Sequence, residues 1–81
     1  MTQPRVVVLT APGCHLCEDA VAVVTEVAQE LGVGWRTEDV TADAEKTSRW
    51  REYVPVVFVD GEVHDWFRVD DERLRTALRR G

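Results

Sequence analysis

Cys14 and Cys17 are the only thiols in the chain, and two residues separate them in the stretch TAPGCHLCEDA. Three chemistries fit that spacing. A Cys-x-x-Cys pair can cycle between dithiol and disulfide. It can be half of a metal site, but zinc usually takes four ligands, and His15 and His64 complete a tetrad only if the fold brings them together. Two small apolar side chains can also lie inert in a core. Haem attachment through Cys-x-x-Cys-His is excluded, because Glu18 follows Cys17.

Position favours the redox pair. Apolar residues recur at helical spacing from Leu16 through Ala20, Val23, Val24, Val27 and Ala28 to Leu31, so a helix opens on the motif. With Cys14 at the N-cap, Cys17 falls at N3. The cap side chain then accepts hydrogen bonds from amides that have no partner within the helix. A thiolate accepts them better than a thiol, and the helix dipole favours negative charge there. Such placement lowers a cysteine pKa from its ordinary value of about 8.5. One helical turn brings the second sulfur close to the first. The spacing therefore gives an exposed nucleophile with a resolving thiol behind it. Glu18 and Asp19 steady the first turn but oppose a thiolate, and a protonated His15 would offset part of that. Pro12 stiffens the approach, and Gly13 lets the loop pass close to a docking partner.

The elements that must hold this motif are legible in outline. RVVVLT, Arg5 to Thr10, is a β-branched run that reads as a buried strand. Gly32 suits the end of the first helix. GWRTEDV, residues 34–40, reads as a weaker strand near an edge. Strand, helix and strand in series imply a parallel crossover. Thr41 is placed as the cap of a second helix over residues 42–52. Val56 to Val59 form a strand, Asp60-Gly61 a hairpin turn and nothing more, and EVHDWFR the returning strand. Trp66 and Phe67 are expected on opposite faces, one of them in the core. Trp35 and Trp50 read as packing residues, and His64 as an ordinary strand residue. Asp70 caps a last helix with Leu74, Ala77 and Leu78 on one face, and Val69 and Leu74 are spaced for a hydrophobic staple. The order is βαβαββα: an α/β fold with one mixed four-stranded sheet and helices packed on both faces.

The chain has 81 residues, enough for one small domain over 1–81. Its net charge of -5 disfavours nucleic acid as a partner. Arg73, Arg75, Arg79 and Arg80 are read as cations crowding a helix C-terminus rather than as a binding patch. The N-terminal residues do not form an export signal, and no apolar run reaches membrane-spanning length. A cytoplasmic protein without membrane partners is expected. In that compartment a Cys-x-x-Cys pair is seldom a structural staple.

Gly-Cys-His-Leu-Cys at a strand-to-helix junction, with Val54-Pro55 opening a strand that turns at Asp60-Gly61, resembles the glutaredoxins of the thioredoxin-fold superfamily. More narrowly, GCHLC with VPVVFVDGEVHDWFRVD resembles the short bacterial glutaredoxin-like proteins, over nearly the whole chain. The resemblance implies Cys14 as nucleophile and Cys17 as resolving residue. It implies a cis peptide before Pro55, with Pro55 facing the pair and the Val54 backbone beside Cys14 available to a substrate. Gly13, His15, Val54 and Pro55 are accordingly the substrate-binding candidates. The expected activity is reduction of protein or glutathione mixed disulfides by a monomer, restored by an external thiol reductant. No tightly bound cofactor or metal is expected. Glutathione is implied as a co-substrate, yet two positions depart from the family pattern. Ala11 and Pro12 stand where a glutathione-binding cation is usual, and HDWFRVDD replaces a Gly-Gly turn, leaving Asp70 and Asp71 for the acidic role. A docking or redox-sensing module with little turnover is the competing expectation.

Overall fold

A computed structural model describes residues 4–80. Four strands, β1 (Val6–Thr10), β2 (Trp35–Asp39), β3 (Val56–Val59) and β4 (Glu62–Trp66), form one sheet in the order β2-β1-β3-β4. β1 runs parallel to β2 and antiparallel to β3, and β3 pairs antiparallel with β4. The run predicted to be most buried is therefore a central strand, and the charged β2 is an edge. Three helices complete the βαβαββα order: α1 (His15–Leu31), α2 (Ala44–Trp50) and α3 (Asp71–Arg80).

The sheet divides the apolar residues by strand alternation. Val6, Val8 and Val57 face α1 and α3, where they bury Ala20, Val24, Val27, Leu74 and Leu78 in one cluster. Leu9 and Val56 face the other way, where Val40, Trp50 and Phe58 pack. Helices thus cover both faces, but unequally. α1 has 17 residues and α2 only 7. Each fully buried Val or Leu in the larger cluster contributes about 1.5–3 kcal/mol of transfer free energy. That side therefore anchors α1, and with it the Cys motif.

Helix ends follow the local chemistry. α1 closes at Gly32, whose φ of 67° suits a residue without Cβ, and Val33 N–H donates to the Ala28 carbonyl at 3.0 Å. Asp70 caps α3 as expected, its carboxylate accepting from the Arg73 amide at 3.0 Å. Val69 packs half-buried on the cluster that contains Leu74, as the staple requires.

Several expectations need correction. Thr41 does not cap α2. Asp43 does, accepting from the Glu45 and Lys46 amides, while Val40–Ala42 is a 3₁₀ turn started by Asp39. Two aspartates compete with the threonine there, and carboxylates cap more strongly. The predicted helix also stops at Trp50 and tightens into a second 3₁₀ turn at Arg51–Tyr53. Arg73 and Arg75 lie in the first half of α3. Arg75 is bonded to Glu30, Asp71 and Glu72, and Arg73 faces Asp65, so these arginines tie α3 to its neighbours rather than crowd its end. Asp60 does more than turn the chain, since it receives a two-point contact from the Arg5 guanidinium at 3.0 Å. Finally, neither Trp66 nor Phe67 is core: they are 50% and 43% exposed, and β4 ends before Phe67.

Candidate functional site

β1 ends at Thr10, and a short loop carries the chain to α1. Gly13 takes φ 73° in that loop, a left-handed conformation that an L side chain resists. A Cβ there would meet nothing within 4 Å, so backbone conformation rather than crowding calls for glycine. Cys14 follows in extended backbone (φ -94°, ψ 110°) as the N-cap of α1. Its Sγ accepts the Cys17 amide N–H at 3.1 Å, the N3 contact expected for a capping side chain. Helical geometry then sets the second sulfur beside the first. Cys14 and Cys17 are joined as a disulfide with their Cα atoms 5.2 Å apart.

The two sulfurs are not equivalent. Cys14 is half-buried, whereas Cys17 is only 3% exposed. His15 projects into solvent, 97% exposed, with Nδ1 3.8 Å from the Glu18 carboxylate. It stands at the rim and serves no packing role.

The Val54–Pro55 peptide is cis. The β1–β3 ladder ends with Leu9 opposite Val56, one residue after Pro55 and one before Thr10. The end of β1 that leads into the cysteine loop and the start of β3 thus lie side by side. Pro55 is buried, and Val54 and Ala11 pack half-buried on the same small cluster. Gly13, Cys14, His15 and Cys17 come from the β1–α1 junction, and Val54 and Pro55 from the strand end next to it.

Two side chains at this end were not anticipated. Phe67 has φ 62°, and its N–H donates to the Pro55 carbonyl at 2.9 Å. Tyr53, the residue before Val54, lies with its ring centroid 6.4 Å from that of Phe67. Both rings are exposed. Tyr53 is detectable in sequence as an aromatic beside the Val-Pro step. Nothing in the sequence signals a left-handed phenylalanine.

His64 lies apart from the cysteines. A register shift in the β3–β4 ladder leaves it between the pairs Val57–Asp65 and Phe58–Val63. Its Nε2 is buried without a hydrogen-bond partner, and burial pushes the imidazole below its ordinary 6.5, aided by Arg73 and opposed by Asp65. The fold does not bring His15 and His64 together with the cysteines. Among the described residues no group of three or more His, Cys, Asp or Glu gathers to hold a metal ion. No helix among them is long and apolar enough to cross a membrane.

Comparison with known proteins bears on the fold and the family. An uncharacterized protein of Mycobacterium tuberculosis is 33% identical over 85 residues, spanning 99% of this chain and 88% of that one. A structural-genomics target from X. campestris superposes with a TM-score of 0.76 at 22% identity, covering 94% of this chain and 97% of that one. Fasciola hepatica thioredoxin superposes with a TM-score of 0.61 at 25% identity, over 93% of this chain and 77% of its own. These likenesses establish the thioredoxin fold. The family model for the glutaredoxin-like domain (DUF836) matches residues 5–79, and the chain belongs to that family.

Proposed function

We propose that the protein is a thiol–disulfide oxidoreductase that reduces protein or mixed disulfides through Cys14 and Cys17. The observation that supports this most directly is the Cys14 Sγ at the mouth of α1, accepting the Cys17 amide and within bonding reach of the Cys17 sulfur. In the reduced protein the Cys14 thiolate attacks one sulfur of a substrate R–S–S–R′. A Cys14–S–S–R bond forms, and R′S⁻ leaves and takes up a proton. Cys17 gives up its proton, and its thiolate attacks the Cys14 sulfur. The Cys14–Cys17 disulfide forms and RS⁻ departs. Two electrons pass to the substrate, and an external thiol or dithiol returns them by the reverse exchange. The chemistry needs no metal and no tightly bound group. In this cycle Val54 and Pro55 are assigned to hold the substrate beside the reacting sulfur, with Gly13 and His15 on its open side.

A monomer working in the cytoplasm, where thiol reductants are abundant, fits this cycle. Glutathione is the less favoured reductant, since Ala11 and Pro12 supply no cation ahead of the motif. The same departure supports a second reading, a docking or redox-sensing module with little turnover. Assays with glutathione and with thioredoxin reductase separate the two, since sustained turnover with either excludes a passive role.

The test is a trap. Cys17→Ser, reduced and mixed with a disulfide substrate, is expected to accumulate a mixed disulfide that mass spectrometry maps to residue 14. Failure to form an adduct, with the protein folded and reduced, would remove the assignment.

A further inference from the structure

The helix α2 leaves part of its face of the sheet open. Strand pairing sets the side chains of that face in rows. One row holds Glu38, Leu9 and Val56, and the next holds Arg36, Val7 and Phe58. The 7 residues of α2 bring Trp50 onto the small cluster of Leu9, Val40 and Val56. Val7, in a central strand, belongs to neither apolar cluster among the described residues. It lines instead a cavity of about 270 Å³, together with Leu9, Phe58 and Trp50. Pro4 and Gly61 stand at the end of this cavity where β1 begins. The cysteine loop follows the other end of β1 and contributes no residue to the lining.

The polar part of the lining carries an excess of positive charge. Arg5, Arg36 and Lys46 are present with a single carboxylate, Glu38. Arg5 is engaged elsewhere, on Asp60 and on the Leu78 carbonyl. Arg36 and Lys46 share Glu38 between them. Two cations against one carboxylate leave one positive charge over, in a chain whose net charge is -5. The Arg36 and Lys46 side chains are still 52% and 43% exposed. A guanidinium and an ammonium together have more N–H donors than one carboxylate takes up.

We infer that this cavity binds a small organic monoanion of the aromatic carboxylate class, with its ring against Val7, Trp50 and Phe58 and its carboxylate on Arg36 and Lys46. The inference stands apart from the thiol–disulfide reading. Trp50 and Phe58 meet at 87° with ring centroids 5.5 Å apart, and a flat body gains edge or offset contacts from both. The volume is at the lower end of small-molecule sites, roughly 300–1,000 Å³, which suits one ring or two fused rings. One excess charge matches one carboxylate. A cationic ligand meets repulsion there, and a neutral one forgoes the charge-assisted hydrogen bonds. The adjoining groove along Trp50 and Phe58 sets Asp43 and Glu45 against Lys46 and Arg49, so no excess charge draws an anion to it.

The experiment titrates the full chain, isotope-labelled and in its disulfide form, with four probes, and follows amide and indole shifts by NMR. The probes are 2-naphthoate, its neutral isostere 2-naphthamide, the cation 2-naphthylmethylammonium, and acetate. Naphthoate is expected to shift the Val7, Phe58 and Trp50 signals and to saturate with a dissociation constant of about 1 mM or tighter, the reach of a ligand of this size. Naphthamide should bind about fivefold more weakly, as loss of one unit charge about 4 Å away in watery surroundings implies. The cation should bind more weakly still, and acetate should not saturate. Sodium chloride at about 0.5 M should weaken naphthoate toward naphthamide and hardly move the latter. Arg36→Gln should cost naphthoate about fivefold and leave naphthamide unchanged. Glu38→Gln should raise naphthoate affinity by a similar factor, a gain that a merely structural role does not produce. Arg79→Gln, on α3 across the sheet, should change neither probe. Circular dichroism checks that each variant is folded. Absence of naphthoate binding, shifts that map away from Val7, Phe58 and Trp50, equal affinity for naphthoate and naphthamide, or a preference untouched by salt and by Arg36→Gln would each overturn the inference.

Discussion

If the sulfur of Cys14 truly caps α1, removing it should cost a cap's worth of stability, and an oxygen in the same place should restore it. Cys14→Ala deletes the acceptor of the Cys17 N–H bond at 3.1 Å, whereas Cys14→Ser supplies a hydroxyl in the capping position. Loss of a polar N-cap costs about 1 kcal/mol, with a range of roughly 0.5–2. The unfolding entropy is about 2.1 cal/mol/K per residue, so a chain of this length has roughly 0.17 kcal/mol/K in all. A cost of about 1 kcal/mol therefore moves the melting temperature by about 6 °C. The comparison must exclude the disulfide, so Cys17→Ala is the common background, carried alone or with either substitution at the cap. Calorimetry should then place the Cys14→Ala protein about 6 °C below the background protein, and the Cys14→Ser protein level with the background or above it. Cys17→Ala shrinks a nearly buried side chain equally in all three, and its own cost cancels. Equal melting points for the alanine and serine variants would mean that the sulfur receives nothing from the helix mouth. The physical basis of its proposed nucleophilic role would then fail, whatever the assay of activity shows.

Other consequences are simpler to state. Leu74 is fully buried between α3 and the sheet, so Leu74→Ala should cost about 3 kcal/mol by denaturant titration, with an unchanged slope. Burial lowers the His64 pKa below 6.5, so the unfolded chain binds a proton first as pH falls. Stability from this group is complete above about pH 6.5 and declines below it. His64→Gln should flatten the stability profile between about pH 7 and pH 5, and an unchanged slope would refute the burial argument. Glu38 is held below the usual carboxylate range first by its hydrogen bond to Lys46 and then by Arg36, against some burial. Its contribution is present at neutral pH and lost as the carboxylate protonates. Glu38→Gln should therefore destabilise the protein near about pH 7 and have little effect near about pH 3, checked by urea melts at both.

The parts of this structure that could be read from sequence are those governed by periodicity and local chemistry. The β-branched run at 5–10, the helical spacing after Cys14, the glycine after Leu31 and the Asp60-Gly61 hairpin each follow from a rule about a few neighbouring residues. The cysteine pair at a helix mouth was legible for the same reason, and the cis step before Pro55 through resemblance to a family. Much of what escaped depends on partners distant in sequence. Asp43 displaced Thr41 as a cap through a local contest between similar residues. Arg75 turned from a dipole cation into a clamp only because Glu30, at the end of α1, lies across from it. Phe67 left the strand because its backbone takes φ 62°, outside the extended region, which no alternation pattern can show.

The distribution of packing explains why the acting residues sit where they do. The long α1 and α3 bury their faces against Val6, Val8 and Val57, so the strand-to-helix junction at Cys14 is fixed by the most stable part of the molecule. Opposite it, α2 is short and the second cluster is small, with Trp50, Tyr53 and Phe58 in edge contacts. Rigidity is concentrated behind Cys17, whose side chain is nearly sealed from solvent. Tyr53 and Phe67, at the start of β3 and the end of β4, remain open to solvent. Dithiol exchange has that asymmetry built in. On the proposed exchange cycle the resolving thiol must stay in one place to find its partner, while the face that meets substrates must accept chains of differing shape. Loosening the α1–α3 core should therefore, on that cycle, slow resolution of every mixed disulfide alike.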